Sequence, residues 1–198
     1  METAIMIIVG IGLSAACGFR VFLPLLVMNL ASQTGYLPLA SGFEWVGGTT
    51  ATIIFATATV VEILAYYIPW LDNILDTITT PAAMIAGVVA TASVLTDVSP
   101  LLKWTLAIIA GGGAATVVQG ATSTLRLKSS ALTGGIGNPV IATGEWIGAI
   151  LTALLAILVP VICLVLLVLL VIYVTRKAGR LFFGRTKPGN RFDSQNVI

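Results

Sequence analysis

A chain of 198 residues that is 58% hydrophobic and 9% charged, with a mean hydropathy of +1.05, is too apolar for water, since soluble domains carry about 25% charged residues. Its length admits four to six helical spans of roughly 20 residues each, so one membrane domain over 1–175 is expected, with no soluble domain attached. The formal charge of +2 is unevenly placed: six of the ten basic residues (Arg176, Lys177, Arg180, Arg185, Lys187 and Arg191) fall in the last 23 positions, which reads as a cytoplasmic topology anchor over 176–198 and argues against nucleic-acid binding.

In chain order, the first apolar run covers 4–30 and holds Arg20 and Pro24 inside what is expected to be one span. Met1-Glu2-Thr3 lacks the basic start of a signal peptide, so this run is expected to stay in the mature protein. A Gly/Pro-bearing connection over 31–48 carries Tyr36 and Trp45 at headgroup level, and a second span over 49–68 contains Glu62. From 70 to 78, Trp70, Leu71, Ile74, Leu75 and Ile78 oppose Asp72, Asn73, Asp76 and Thr77, the pattern of a short amphipathic interfacial helix.

Three helix starts are marked by a capping residue before proline: Thr80-Pro81, Ser99-Pro100 and Asn138-Pro139. They introduce a third span from 81 to 95, a fourth from 101 to 123 with Gly111-Gly112-Gly113 in its middle, and a helical stretch over 139–174 that is too long for one straight crossing. Pro160 is expected to bend that stretch without a hairpin, because 157–171 offers no polar turn residue; residues 139–147 are expected to lie in the interface or to re-enter. The fold class is therefore an all-α polytopic helical membrane protein of about five spans plus the interfacial helix.

Two echoes suggest an inverted repeat. Gly10, Ser14 and Gly18 are matched by Gly112, Thr116 and Gly120, and the segment 43–47 (FEWVG) is matched by 144–148 (GEWIG), both displaced by about one hundred residues. Small residues every fourth position also serve plain helix packing.

Charges inside spans cost about 2.5–3.5 kcal/mol at the bilayer centre, so Arg20 and Glu62 should face the bundle interior and can pair with each other, either as a solute or ion site or as a structural ion pair. Asp72, Asn73 and Asp76 could join Glu62 as oxygen ligands on the pathway, although a solvated polar face explains them too. Gln119 would line a path or a helix contact. Gly135, Gly137 and Asn138, with Glu145 beyond them, can present free N–H groups to an anion or lipid headgroup at a helix start, although a plain glycine connection before a capped helix explains the stretch equally well. The chain has no histidine, and Cys17 and Cys163 sit in apolar runs; no Ser/His, Cys/His or zinc-type arrangement is present, so neither an enzyme nor a cofactor or metal is expected.

The segments GLSAACGFRVFLP over 12–24, EILAYYIPWLDN over 62–73, TPAA over 80–83 and GGIGNP over 134–139 together resemble the bacterial membrane family called domain of unknown function 4126. The resemblance covers most of the chain before the basic tail and implies a helical inner-membrane protein; it implies no activity, substrate or catalytic residue. The residues themselves lead to a small inner-membrane transporter or channel-like protein for an ion or small solute, expected to be a homodimer in the lipid bilayer. The competing readings are a non-transporting protein that binds lipid or scaffolds a partner, and a lipid-flipping protein resting on the glycine stretch.

Overall fold

The computed structural model describes residues 2–68 and 71–183, except for the side chains at 72, 73, 76, 174, 175 and 177–183. About 85% of the described residues are helical, with no strand among them. Its helices are α1 (Glu2–Phe19), α2 (Phe22–Gln33), α3 (Thr49–Tyr66), α4 (Leu71–Val94), α5 (Pro100–Leu106), α6 (Gly113–Thr133), α7 (Asn138–Leu158) and α8 (Pro160–Phe183). A 3-10 turn, Glu44–Gly47, precedes α3, and a π turn, Ala107–Gly112, joins α5 to α6. Five stretches are long and apolar enough to cross a membrane: Glu2–Phe19, Thr49–Tyr66, Thr77–Val94, Pro100–Thr133 and Asn138–Leu158. This is an integral membrane bundle.

The middle of the bundle is α1, packed by α4, α6, α7 and α8. Its sequence explains that position, because Gly10, Gly12, Ser14, Ala15, Ala16, Cys17 and Gly18 are all buried and let neighbouring backbones approach. A Cβ at Gly12 would stand 2.6 Å from Ala156 Cβ, and one at Gly18 would stand 2.7 Å from Val118 Cβ. In lipid, where hydrophobicity does not draw helices together, such packing and interhelical hydrogen bonds hold the bundle. Ser14 Oγ donates to Gly111 O in the π turn, and Thr91 Oγ1 donates to Gly10 O at 3.0 Å.

Helix directions follow from these contacts. Glu2, Thr3 and Met6 share a cavity of about 420 Å³ with Pro38, Thr96 and Asp97, so the start of α1, the loop after α2 and the end of α4 meet at one end of the bundle. At the other end, Arg20 meets Tyr66, Ala142 and Glu145.

The first apolar run is two helices rather than one span. The chain breaks after Phe19, and α2 turns back along α3: Val21 lies beside Glu62, while Gln33 reaches Thr52 near the start of α3. Pro24 falls in the first turn of α2, where its missing N–H costs nothing. The amphipathic stretch at 70–78 is likewise not a separate interfacial helix. From Leu71 it forms the opening turns of α4, which continues unbroken past Pro81 to Val94; membrane helices tolerate an internal proline where neighbours restore the freed backbone groups.

The expected helix start at Ser99-Pro100 is present, with Ser99 Oγ accepting from Leu102 N at 3.4 Å. At Asn138-Pro139 a helix also starts, but Asn138 turns its Nδ2 to Ser130 Oγ at 2.9 Å instead of capping. Residues 139–147 belong to a continuous α7 and form no separate interfacial segment.

At Val159 the chain turns back sharply. Cys163 Sγ lies 3.7 Å from Thr152 O, and Cys163 and Ala156 both abut the same face of Gly12. A straight helix would separate residues 152 and 163 by about 16 Å. The turn needs no polar residue because Val159 N donates to Leu155 O at 2.9 Å, Cys163 N donates to Val159 O at 3.2 Å, and Pro160 has no N–H to satisfy. The change from apolar to basic at 175–176 falls inside α8, and the rest of the basic tail, 184–198, lies outside the described residues.

The two echoes do not share one symmetry. Gly18 packs against Ala115 as Ser14 packs against Gly111, so α1 and α6 run the same way. Helices α3 and α7, which follow or contain the second pair of segments, run in opposite directions.

Candidate functional site

The break between α1 and α2 creates the site. Val21 and Phe22 open α2, so their N–H groups have no partner within the helix. Glu62, one turn from the end of α3, takes both: Oε1 accepts from Val21 N at 3.0 Å and Oε2 from Phe22 N at 3.2 Å. A carboxylate at a helix N-terminus also meets the positive end of the helix dipole. Glu62 therefore does not form the expected direct pair with Arg20. The backbone of α2 outcompetes the guanidinium for it.

Arg20 instead pairs with Glu145 of α7. Its Nη2 donates to Glu145 Oε2 at 2.9 Å and to Ala142 O at 3.3 Å. Arg126 of α6 holds the same carboxylate with two bonds, Nε to Oε1 at 2.9 Å and Nη2 to Oε2 at 2.8 Å. The side chains of Arg20, Arg126 and Glu145 are no more than 4% exposed. Arg126 and Glu145 each lie seven residues from their helix ends, Thr133 and Asn138, so the cluster sits about 10 Å inside the bundle and not at its mid-depth.

Tyr66 ties the cluster together. Its ring centroid is 3.8 Å from Arg20 Cζ and 4.5 Å from Arg126 Cζ, within cation–π range. Its hydroxyl shares a 3.1 Å hydrogen bond with Thr79 Oγ1, which accepts from Gln119 Nε2 at 3.2 Å. Gln119 thus joins the site through Thr79 and Tyr66, linked side chain to side chain across α3, α4 and α6. Beside this network a groove of about 550 Å³ lies between α3 and α4, lined by apolar side chains with Glu62 and Tyr66 in its wall.

Arg20, Glu62, Gln119 and Glu145 are therefore brought together, although the sequence associates Glu145 with the glycine stretch. Asp72, Asn73 and Asp76 open α4 at the same end of the bundle; their side chains lie outside the described residues. Among the described residues, no three His, Cys, Asp or Glu side chains are grouped to hold a metal ion. The glycine stretch does not present free N–H groups as expected: Gly137 N donates to Thr133 Oγ1 at 3.0 Å and Asn138 N donates to Gly135 O at 3.1 Å. Gly134 and Gly135 take φ of +64° and +91° there, which makes the stretch a tight turn in which the N–H groups of Gly137 and Asn138 bond locally.

Sequence reasoning missed Arg126, Tyr66 and Trp146. The available signal for Arg126 was a lone arginine between Leu125 and Leu127 near the end of an apolar helix, a position that normally suits snorkelling to headgroups.

The profile of the family described as "Domain of unknown function (DUF4126)" matches residues 7–180, and the chain belongs to that family. No curated protein and no solved structure matches the chain.

Proposed function

We propose that this member of the DUF4126 family is a small transporter or channel-like protein of the bacterial inner membrane, with its solute path at the Arg20–Glu145–Arg126 cluster and Glu62. The observation that carries the reading is the reversal of the first apolar run at Arg20, which puts the start of a half-length helix inside the bundle beside four buried ionisable side chains. Interrupted helices whose ends meet ionisable groups form the solute sites of many transporters, and intramembrane charges are costly enough to mark a pathway.

The orientation proposed is C-terminus in the cytoplasm. Supporting it, Lys128 lies near the end of the bundle toward which α8 runs, as the positive-inside rule asks of a cytoplasmic face. A homodimer is proposed because α1 fills the middle of one protomer with close-packed small residues and leaves little interior there. The reading requires no inverted repeat.

The test is flux into proteoliposomes containing wild-type or Glu62→Gln protein, over a panel of ions and small solutes. Flux in the wild type that is lost in a folded variant supports the reading; no flux for any solute refutes it. One observation favours a second reading, a lipid-binding protein: the apolar groove between α3 and α4 has the size and lining to take an acyl chain.

A further inference from the structure

Arg20 is 1% exposed, yet among the described residues only its Nη2 is hydrogen-bonded. Among the described residues, Nε and Nη1 meet no acceptor, and neither does the indole Nε1 of Trp146, whose ring centroid lies 5.8 Å from Arg20 Cζ. Roughly 90% or more of buried polar groups in proteins have a partner, and a cluster of exceptions calls for an explanation. These orphans are all of one polarity. Guanidinium and indole N–H groups only donate, so an acceptor is what they lack.

The protein's own acceptors are committed elsewhere. Glu145 divides its carboxylate between Arg20 and Arg126, and Glu62 bonds the backbone N–H groups of Val21 and Phe22. Arg20 is thus a buried cation that receives part of one carboxylate and has spare donors, over the ring of a tryptophan whose own N–H is also spare. With two carboxylates in the same cluster, a dianion would be repelled. We infer that Arg20 and Trp146 form a binding site for a small monovalent inorganic anion of the chloride class. As a statement about the solute, this rests on the transport reading; as a statement about binding, it can be tested apart.

The experiment is a calorimetric titration of sodium chloride into the full-length protein, purified in detergent and in chloride-free gluconate buffer. Wild type should bind chloride saturably. Trp146→Phe keeps an aromatic side chain but removes the N–H together with the five-membered part of the indole, and should weaken binding about tenfold, the effect of one hydrogen bond to a charged partner. Arg20→Lys, judged only if helix content and monodispersity match wild type, should weaken it further. The absence of saturable binding in wild type, or equal affinity in Trp146→Phe, overturns the inference. Solute influx into proteoliposomes separates the two proposals. A cation or neutral solute that moves while chloride does not bind sinks the anion site and spares transport; chloride that binds through Arg20 and Trp146 while nothing moves does the reverse.

Discussion

Replacing Glu145 by glutamine should destabilise the folded bundle severely. The carboxylate is the shared counter-charge of two guanidiniums, with three bonds of 2.8–2.9 Å, and all three side chains are buried to within 4% of complete. At that depth solvent does not screen the loss, and removing one partner of a buried ion pair costs about 3–5 kcal/mol. Glutamine keeps one acceptor oxygen but turns an NH2 group toward guanidinium donors, so shape alone cannot rescue it. At about 3 kcal/mol the unfolding equilibrium should shift about a hundredfold. Reversible unfolding in mixed lipid–detergent micelles would measure this, with Glu44→Gln as the control. Glu44 is exposed and accepts from Gly42 N at 2.8 Å, so its replacement should cost about 0.5 kcal/mol or less. If Glu145→Gln were as stable as the control variant, the buried cluster would be wrong.

Glycines on α1 and α6 should differ sharply. Gly18→Val should abolish assembly of the bundle, seen as aggregation on size exclusion, because its Cβ would meet Ala115 O and Val118 Cβ; Gly120→Ala, with open space around it, should be neutral or gain up to about 1 kcal/mol of helix propensity. Ser14→Ala removes the donor to Gly111 O in the π turn and should cost about 0.6 kcal/mol, as interhelical bonds in membranes average; a loss of several kcal/mol would show that the π turn depends on it. With the buried Cys17 and Cys163 replaced by alanine, Tyr36→Cys and Ile136→Cys, both at exposed positions, should be labelled from opposite sides of the membrane, Ile136→Cys from the cytoplasm. Labelling of both from one side would refute the helix directions.

What was legible in the sequence was what lipid makes expensive. Length and hydropathy marked the spans, and Arg20 and Glu62 stood out because a charge in an apolar run needs a reason. The partner choice was not legible, since it depends on the reversal after Phe19. No hydropathy change announces that break, because both α1 and α2 are apolar and buried in protein on either side of it. The turn at Val159 escaped for a related reason: its backbone bonds close locally, so it needs none of the polar residues by which turns are recognised. Pro81 misled in the opposite direction, as a proline that usually starts a helix but here lies inside one. Glu145 was noticed for its sequence neighbours, yet its role is set by helices that approach from 19 and 125 positions away.

Whether the buried cluster conducts a solute, rather than merely holding helices together, is tested most directly with Arg20→Met. This change leaves Glu145 bonded by both Nε and Nη2 of Arg126, so the fold should survive. The measurement is solute flux in proteoliposomes carrying equal amounts of wild-type and variant protein, with folding verified on the same sample. A solute path through the cluster predicts a folded variant that has lost the wild-type flux; a folded variant with flux equal to wild type would contradict it.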